Sequence, residues 1–327
     1  MKRREFLRLA AGSVAWPAAA SIASAESYPS RPVTMIVPFA AGGPTDVIAR
    51  IVAEGMRPSL GQPVLIENVG GAAGNIGVAR VARAAPDGYT ICVGMFTTHV
   101  INAAIYTLGY DVVNDFEPVA LLVSQPSLIV SRKTLPASDL NGLIAYLKAN
   151  PGAALAGTGG VGTPPHIFGL FFQHATDTRF RFVPYRGAGP ALQDLVAGHL
   201  DVMIDVAGNS LPQIRGGTIK VYAVAAKSRL AAAADIPTVD EAGLPGLYFS
   251  VWYALWVPKG TPKDIVATLN TAVTTALADP AVRARLTGLG QEIFPRGQQT
   301  PEALGAFQKA EIAKWWPIIK AAGIKAE

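Results

Sequence analysis

The fold is decided by the stretch Val33-Thr34-Met35-Ile36-Val37-Pro38-Phe39-Ala40-Ala41-Gly42-Gly43-Pro44-Thr45-Asp46, an apolar run that passes through glycines into a proline. The β-branched run at its start is typical of a buried strand. Pro44 suits the first position of a helix, where a missing N–H costs nothing, so Gly43 becomes the N-cap and Asp46 the third helical residue. The stretch therefore predicts a strand that leads directly into a helix, the unit of α/β sheets.

Units of the same kind follow along the chain. Short apolar runs alternate with amphipathic stretches, a pattern that predicts βα units and a largely parallel sheet. The predicted strands are Val33–Val37, Val64–Glu67, Thr90–Met95, Ser127–Lys133, Ala154–Gly157, Arg181–Tyr185, Val202–Asp205 and Tyr253–Lys259. The predicted helices are Pro44–Met56, Asn75–Ala84, Asp139–Ala149, Pro190–Gly198, Asp264–Ala278 and one that begins near Thr163.

The second half of the chain repeats the first. Residues 127–149 and 253–278, for example, both have the pattern of a strand, a proline-containing turn and a helix. Two similar α/β lobes joined by crossing strands make a bilobal binding fold, with a cleft at the hinge where ligands usually lie. We therefore expect an α/β, bilobal protein in which residues 26–125 plus 250–327 form lobe one and residues 126–249 form lobe two.

Two loops occupy equivalent places in the two lobes. We call residues 38–46 loop one and residues 157–166 loop two; the second is Gly157-Thr158-Gly159-Gly160-Val161-Gly162-Thr163-Pro164-Pro165-His166. Thr163 is the predicted N-cap of loop two, so His166 falls at the third helical position, as Asp46 does. A helix start carries roughly half a positive charge and several unpaired N–H groups, so it holds a carboxylate or a phosphate. The matched pair predicts an anion site between the lobes.

The alternative is that both loops are only tight turns, with Asp46 reaching back as a capping-box acid. Either loop alone favours that alternative, whereas the matched pair favours ligand binding. The run Gly70-Gly71-Ala72-Ala73-Gly74-Asn75-Ile76-Gly77 follows the second strand. A dinucleotide site needs G-x-G-x-x-G after the first strand, so we expect no nucleotide cofactor.

Other candidate site residues stand at strand ends. Thr98 follows the third strand and either adds a hydroxyl to the cleft mouth or caps a turn. Tyr185 and Asp205 end strands of lobe two, at the edge where open α/β sheets bind ligands. Asp205 either accepts a hydrogen bond from the ligand or makes one at the hinge. Phe39 and Tyr185 are candidate walls of the cleft.

Residues 1–25 have the pattern of an export signal: a basic head, an Ala-rich apolar run and Ala23-Ser24-Ala25 at the end. Arg3 and Arg4 followed by Phe6-Leu7 resemble a twin-arginine signal, and an ordinary signal with two arginines is the alternative. The run is too short for a membrane span, which needs about 20 apolar residues. We expect a periplasmic mature chain that starts near Glu26 and, having no cysteine there, carries no lipid anchor.

The cysteine content and the net charge limit the classes of partner that the protein can bind. Cys92 is the only cysteine, which excludes an intrachain disulfide and thiol ligation of a metal. The net charge of +5 includes four cations and one acid within the signal, so the mature chain keeps a charge of +2. No basic run interleaved with aromatic residues is left, so nucleic acid is not an expected partner. We expect a monomer with neither metal nor cofactor.

A set of short motifs stands in a fixed order along the chain. They are Tyr28-Pro29-Ser30-Arg31-Pro32-Val33, residues 38–46 as quoted above, Gly74-Asn75-Ile76-Gly77, Ala85-Pro86-Asp87-Gly88-Tyr89-Thr90, Val183-Pro184-Tyr185-Arg186-Gly187, Ile236-Pro237-Thr238 and Lys259-Gly260-Thr261-Pro262. Together they resemble the Bug-type, or TctC-like, receptors of tripartite tricarboxylate transporters. The likeness covers essentially the whole mature chain.

The resemblance implies a periplasmic binding protein of the type II, Venus-flytrap fold, which captures a carboxylate-bearing solute for membrane permease subunits. It also implies that the two loops hold one carboxylate through backbone amides, hydroxyls and waters. On this chain that role falls on Ala41, Gly42, Gly43, Thr45, Asp46, Gly159, Gly160, Gly162, Thr163 and His166. The chain departs from the family where Thr163 replaces a common serine and where Val69-Gly70-Gly71-Ala72-Ala73 replaces a more usual Arg/Lys-Pro-Gly-Ala-Gly run.

The family's ligands are di- and tricarboxylates, acidic amino acids and aromatic carboxylates, and the sequence does not choose among them. Arg186 is the one obvious arginine near the predicted cleft. A sensory receptor for a membrane kinase is an alternative function, because it uses the same closing lobes. A periplasmic hydrolase is a further alternative, although the chain has no G-x-S-x-G elbow, H-E-x-x-H or P-loop motif.

Overall fold

Strands and helices alternate through the computed structural model, which describes residues 28–185 and 187–324 of the chain. The strands are β1 Val33–Val37, β2 Val64–Asn68, β3 Thr90–Met95, β4 Phe116–Arg132, β5 Leu155–Thr158, β6 Arg181–Pro184, β7 Val202–Val206, β8 Ile219–Val224, β9 Ser250–Pro258 and β10 Glu292–Ile293. The helices are α1 Pro44–Leu60, α2 Asn75–Ala82, α3 Asn102–Ile105, α4 Leu140–Ala149, α5 Pro164–Thr176, α6 Ala188–Ala197, α7 Ala207–Arg215, α8 Lys263–Ala278, α9 Pro280–Gly288 and α10 Pro301–Ala321. The predicted export signal and Arg186 lie outside the described residues.

The strands form a mixed, curled sheet in the order β2-β1-β3-β9-β4-β7-β5-β6, and β8 and β10 both pair with β4. The order contains a repeat. In the first half β1 lies between β2 and β3 and is parallel to both, and in the second half β5 lies between β6 and β7 in the same way. An antiparallel strand then follows each triplet, β9 beside β3 and β4 beside β7. The predicted α/β class and internal repeat are confirmed.

The long strand β4 belongs to both halves of the sheet. Its first part pairs with β9, from Phe116 to Pro126, and its last part pairs with β7, from Ser127 to Ser131. The ladder with β9 is irregular near Pro118, which cannot donate a hydrogen bond to it. β4 therefore carries the chain from one half of the sheet to the other, while the assignment of residues to lobes stays a prediction.

Helices cover the sheet and bury its apolar side chains. In β9 every residue from Val251 to Pro258 is buried, as expected of a strand with both faces covered. Trp252 and Trp256 are fully buried there, and Phe96 contacts both Trp252 and the buried Trp315 of α10. Each fully buried large apolar side chain contributes roughly 1.5–3 kcal/mol, so this core holds the fold without any disulfide.

Among residues 28–185 and 187–324, no single helix is long and apolar enough to cross a membrane. The pair α8 and α9 passes that test of length and composition only together, and the two helices are bent by 72°. Both bury apolar side chains in the protein core, including Leu269 and Leu286.

Candidate functional site

A cavity of about 150 Å³ lies where loop two meets residues from the first third of the chain. Its wall is formed by Phe39, Ala73, Met95, Thr97, Asn102, Tyr106, Val161, Gly162, Thr163 and Pro164. Residues from both predicted loops therefore line one space. A larger groove of about 950 Å³ between α8 and α10 contains no residue of either loop.

Loop one is held by Asp46, the third residue of α1. Its Oδ2 accepts a hydrogen bond of 2.8 Å from the Gly42 amide and one of 2.9 Å from Arg50 Nε. Its Oδ1 accepts a bond of 2.9 Å from Asn68 Nδ2, which also donates to the Phe39 carbonyl. Gly42 has a φ of +81°, a left-handed conformation that favours glycine. Asp46 thus bends the loop back onto its helix from a position only 2 % exposed.

Loop two uses the same plan with a different side chain. His166, the third residue of α5, accepts a hydrogen bond of 3.2 Å at Nδ1 from the Gly162 amide. Gly162 has a φ of +77°, close to the value at Gly42. The Thr163 hydroxyl donates to the Gly160 carbonyl at 2.6 Å. Each loop therefore has a left-handed glycine whose amide is bonded to the side chain four residues later.

Asp46 and His166, the side chains that hold the two loops, differ in charge. The hydrogen bond from Arg50 is the largest cause that lowers the pKa of Asp46 to about 2, so this carboxylate is ionised at neutral pH. Burial lowers the pKa of His166 below its usual value, which keeps the ring neutral and Nδ1 able to accept. Loop one carries a paired negative charge, whereas loop two carries none on its cap.

Several amides of the loops are already used within them. Gly43 N–H donates to the Ala40 carbonyl at 3.4 Å, and Thr163 N–H donates to the Gly160 carbonyl at 3.3 Å. Within the described part of the chain, the N–H groups of Thr45, Asp46 and His166 have no protein acceptor, as is usual for the first turn of a helix. These three amides keep their hydrogen-bonding capacity, whereas those of Gly42, Gly43, Gly162 and Thr163 are engaged.

The remaining loop residues surround the cavity without lining it. Ala41 is exposed, and the Thr45 hydroxyl donates to Met95 Sδ at 3.7 Å beneath the cavity wall. Gly159 and Gly160 lie against the segment that joins β6 to α6, because a Cβ on either would meet atoms of Tyr185, Gly187 or Ala188 within 4 Å. The close packing of these two glycines against that segment helps to set the backbone shape of loop two.

Thr98, Tyr185 and Asp205 do not line this cavity, and their assignment to the ligand site stays a prediction. The Thr98 hydroxyl is buried and bonds the Met95 backbone and His99, the capping role that was its alternative. The Tyr185 hydroxyl donates to Asp194 at 2.6 Å, which turns that ring toward α6.

Asp205 lies just before the start of α7 and uses one carboxylate oxygen, whereas its buried Oδ1 has no partner among the described residues. Its Oδ2 accepts hydrogen bonds of 2.7 Å from Asn209 Nδ2 and Ser210 Oγ, and the residue is only 1 % exposed. Burial raises the pKa of Asp205 to about 6. The side chain anchors a helix rather than facing the cavity.

Some wall residues were not expected from the sequence. Thr97, Asn102 and Tyr106 follow β3, where a π-helical turn at Thr97–Ile101 runs into α3. The wider turn changes which side chains face the cavity, and no sequence pattern announces it. Thr97 takes the place at the wall that was expected of Thr98.

The chain is similar in sequence and in fold to known binding proteins. A family model described as the tripartite tricarboxylate transporter family receptor matches residues 48–324. MatC from Rhodopseudomonas palustris, solved with bound malate, is 41% identical, with coverage of 89% of this chain and 100% of MatC and a TM-score of 0.77. The periplasmic binding protein BugD is 39% identical, with coverage of 91% and 100% and a TM-score of 0.77.

A third solved structure is R. palustris Rpa4515 with adipate, which is 34% identical to this chain. The coverage is 91% of this chain and 100% of that protein, and the TM-score is 0.79. The resemblance drawn from the motifs and the two-lobed architecture are thus confirmed. The chain belongs to the tripartite tricarboxylate transporter receptor family, which is made of α/β, bilobal solute-binding receptors.

Proposed function

We propose that this protein is a periplasmic solute-binding protein that captures a small carboxylate in the cleft between its lobes and delivers it to the permease subunits of a tripartite tricarboxylate transporter. The observation that carries the proposal is the cavity walled by Phe39 of loop one and by Gly162 and Thr163 of loop two. Malate and adipate, seen in two relatives, are both carboxylates.

The carboxylate accepts from the free amides at the two helix starts. Each net hydrogen bond contributes about 0.5–1.5 kcal/mol, and one exposed helix dipole about 0.3–1 kcal/mol. Several amide and water-mediated bonds are therefore needed, and closing the lobes over the ligand excludes the bulk water that would weaken them.

The lobe division is part of the proposal. β4 changes partners between Pro126 and Ser127, which supports a boundary near residue 125. Lobe one is then residues 26–125 plus 250–327, and lobe two residues 126–249. Residues 1–25 export the chain, which works as a monomer.

A thermal-shift screen of organic acids tests the binding function. A ligand at 100 times its Kd stabilises the folded state by about 2.7 kcal/mol, which gives a measurable rise in Tm. We expect di- and hydroxycarboxylates to raise the Tm of the wild type. An unchanged Tm with every acid would contradict the proposal.

A variant locates the site. Gly43 has an ordinary φ of −75°, and a Cβ there meets only the Ala40 carbonyl oxygen at 3.4 Å. Gly43→Val should therefore fold normally and lose the shift, because the side chain obstructs the helix start. Gly288→Val is the matched control, since a Cβ at the end of α9 meets nothing. Loss of the shift in both variants would argue against loop one.

The transport role needs a separate test. Deletion of the gene should lower cellular uptake of the acid that gives the largest shift, and the wild-type gene should restore it. Normal uptake in the deletion strain would leave the binding function standing and overturn delivery to a permease.

A further inference from the structure

One side chain of the cavity wall, Asn102, is held in place by hydrogen bonds and keeps one acceptor atom without a partner in the described part of the chain. Asn102 Nδ2 donates to the Ala73 carbonyl at 2.9 Å and to Asn75 Oδ1 at 2.7 Å. A carbonyl oxygen can only accept, so the amide group cannot be turned around. The Tyr110 hydroxyl also donates to Asn75 Oδ1, at 3.1 Å, which locks the partner.

Asn102 is only 2 % exposed, and it lines the cavity. Both hydrogens of its amide are used, whereas Oδ1 has no partner among residues 28–185 and 187–324. The Oδ1 atom itself is not sealed from solvent. It is therefore an acceptor at the wall to which a hydroxyl or an ammonium group of a bound molecule can donate.

The neighbouring wall residue, Ala73, is held in a conformation that suits glycine. Its φ is +54° and ψ +29°, and Ala72 before it has a φ of +47°. Backbone of this kind persists where the surroundings hold it, and it clusters at ligand sites. The hydrogen bond from Asn102 to the Ala73 carbonyl is one such restraint. Alanine in place of glycine adds a methyl group to a wall that Ala73 lines.

The size of the cavity limits what fits. Its volume is about 150 Å³. An apolar cavity of about that volume in another protein accepts benzene, which has six carbon atoms. A carboxylic acid of about four carbons is of comparable size, whereas a six-carbon diacid extends well beyond it.

We propose that the cleft selects a carboxylate of about four carbons that carries a hydroxyl or ammonium donor toward Asn102 Oδ1, and that Ala73 limits the length of the ligand. The proposal rests on the carboxylate-binding function proposed above. It assigns two specificity-determining residues outside both loops.

Isothermal titration calorimetry with malate, succinate and adipate tests the selection. Malate and succinate differ by one hydroxyl, so their affinity ratio reports the donor; adipate reports length. We expect the wild type to bind malate at least tenfold more tightly than succinate and at least a hundredfold more tightly than adipate. Equal binding of malate and adipate would overturn the limit on length.

The Ala73→Gly variant tests the length limit directly. Glycine accepts the observed φ without strain, so the apo Tm should stay at or above that of the wild type. Adipate should bind at least tenfold more tightly than to the wild type, while malate changes less than threefold. Unchanged adipate affinity would overturn the role of Ala73.

The Asn102→Leu variant tests the donor. The malate-to-succinate ratio should fall to about one, and it should stay at the wild-type value in Gly288→Val, where a Cβ at the end of α9 meets nothing. If Asn102→Leu does not fold, Asn102→Ser serves, because its shorter side chain stops short of the ligand. A ratio that stays at the wild-type value in the Asn102 variant would overturn the assignment. Failure of all three acids to bind the wild type would overturn the selection, and the proposed function falls with it only if every acid of the thermal-shift screen also leaves the Tm unchanged.

Discussion

Loop one and loop two share a hydrogen-bond plan and differ in electrostatics. In both, the side chain of the third helical residue accepts from a glycine amide four residues earlier: Asp46 from Gly42, and His166 from Gly162. Asp46 is ionised and paired with Arg50, whereas His166 is neutral. The repeat in the chain preserved the geometry of the turn but not its charge.

The difference decides which loop holds an anion more firmly. A helix start offers roughly half a positive charge, which a full negative charge at Asp46 more than cancels locally. Arg50 restores the balance, but its side chain is 52 % exposed, so solvent screens its effect. The start of α5 has no carboxylate in this position, so its partial positive charge is not cancelled. We infer that loop two contributes more to anion binding and loop one more to stability.

The largest expected effect is the loss of stability in Asp46→Ala. Three side-chain or backbone donors lose their acceptor, whereas His166→Ala frees only the Gly162 amide. We expect the free energy of unfolding to fall by about 2–3 kcal/mol for Asp46→Ala and by about 1 kcal/mol for His166→Ala, allowing for the exposure of Arg50. Urea denaturation measures both, and equal losses would mean that the caps are equivalent.

Alanine at the left-handed glycines should cost slightly less. Both Gly42→Ala and Gly162→Ala place a Cβ in a conformation that disfavours it, at about 1–2 kcal/mol. The Cβ at Gly42 meets nothing within 4 Å, whereas the one at Gly162 lies 3.2 Å from Ile105 Cδ1. Gly162→Ala should therefore have the lower Tm in thermal unfolding. The reverse order would contradict the tighter packing of loop two.

Exchanging the charge of loop two tests the assignment of anion binding. The carboxylate of His166→Asp can accept from Gly162, but Leu170 stands where Arg50 stands in loop one, so the charge has no partner four residues later. We expect about a tenfold loss of affinity for the bound acid at pH 7, equivalent to about 1.4 kcal/mol. His166→Asn is the neutral control and should bind nearly as well as the wild type. Equal affinities of the two variants would contradict the inference that loop two contributes more to anion binding.

The smallest expected effect is a difference in pH dependence between the loops. Because the folded pKa of His166 lies below its ordinary value near 6.5, the unfolded chain takes up the proton more readily. The stability contributed by neutral His166 is present above pH 6.5 and is lost as the pH falls from there toward the folded pKa. The Asp46 contribution lasts until the pH falls through the range from 3.8 to about 2.

Urea denaturation of the apo protein from pH 7 to pH 5 measures this effect, with His166→Asn as the reference. Asp205, whose pKa is raised to about 6, changes stability in the opposite direction, since its penalty grows as the pH rises from 3.8 to 6. Subtracting the two profiles cancels Asp205 and isolates His166. A flat difference would show that His166 does not titrate as the buried acceptor of loop two.

Local patterns predicted the parts of the fold that depend on neighbouring residues. β1 and β3 have the predicted bounds, because the run of β1 ends at Pro38 and that of β3 begins after the turn around Asp87 and Gly88. β4 was predicted only from Ser127, and its earlier part contains Pro118 and Pro126, which cannot donate hydrogen bonds to a ladder. They are accommodated by irregular pairing with β9, a strand more than a hundred residues later, which no local pattern contains.

The same distinction holds in the site. Cap spacing placed Asp46 and His166 at the third helical position, where they accept hydrogen bonds from the Gly42 and Gly162 amides. Tyr185 was assigned to the cleft from its place at a strand end, and this assignment stays a prediction. Its hydroxyl donates to Asp194, a contact set by tertiary packing. Asn102 escaped notice because a π-helical turn orients it.

The central place of β9 delays the closing of the sheet during synthesis. β9 lies between β3 and β4, so these strands cannot be joined until residue 258 has left the ribosome. Until then the growing chain exposes unpaired strand edges that could attach to other chains. Pairing across such a long separation is also slow. For most of its synthesis, this polypeptide needs protection that its own fold cannot yet give.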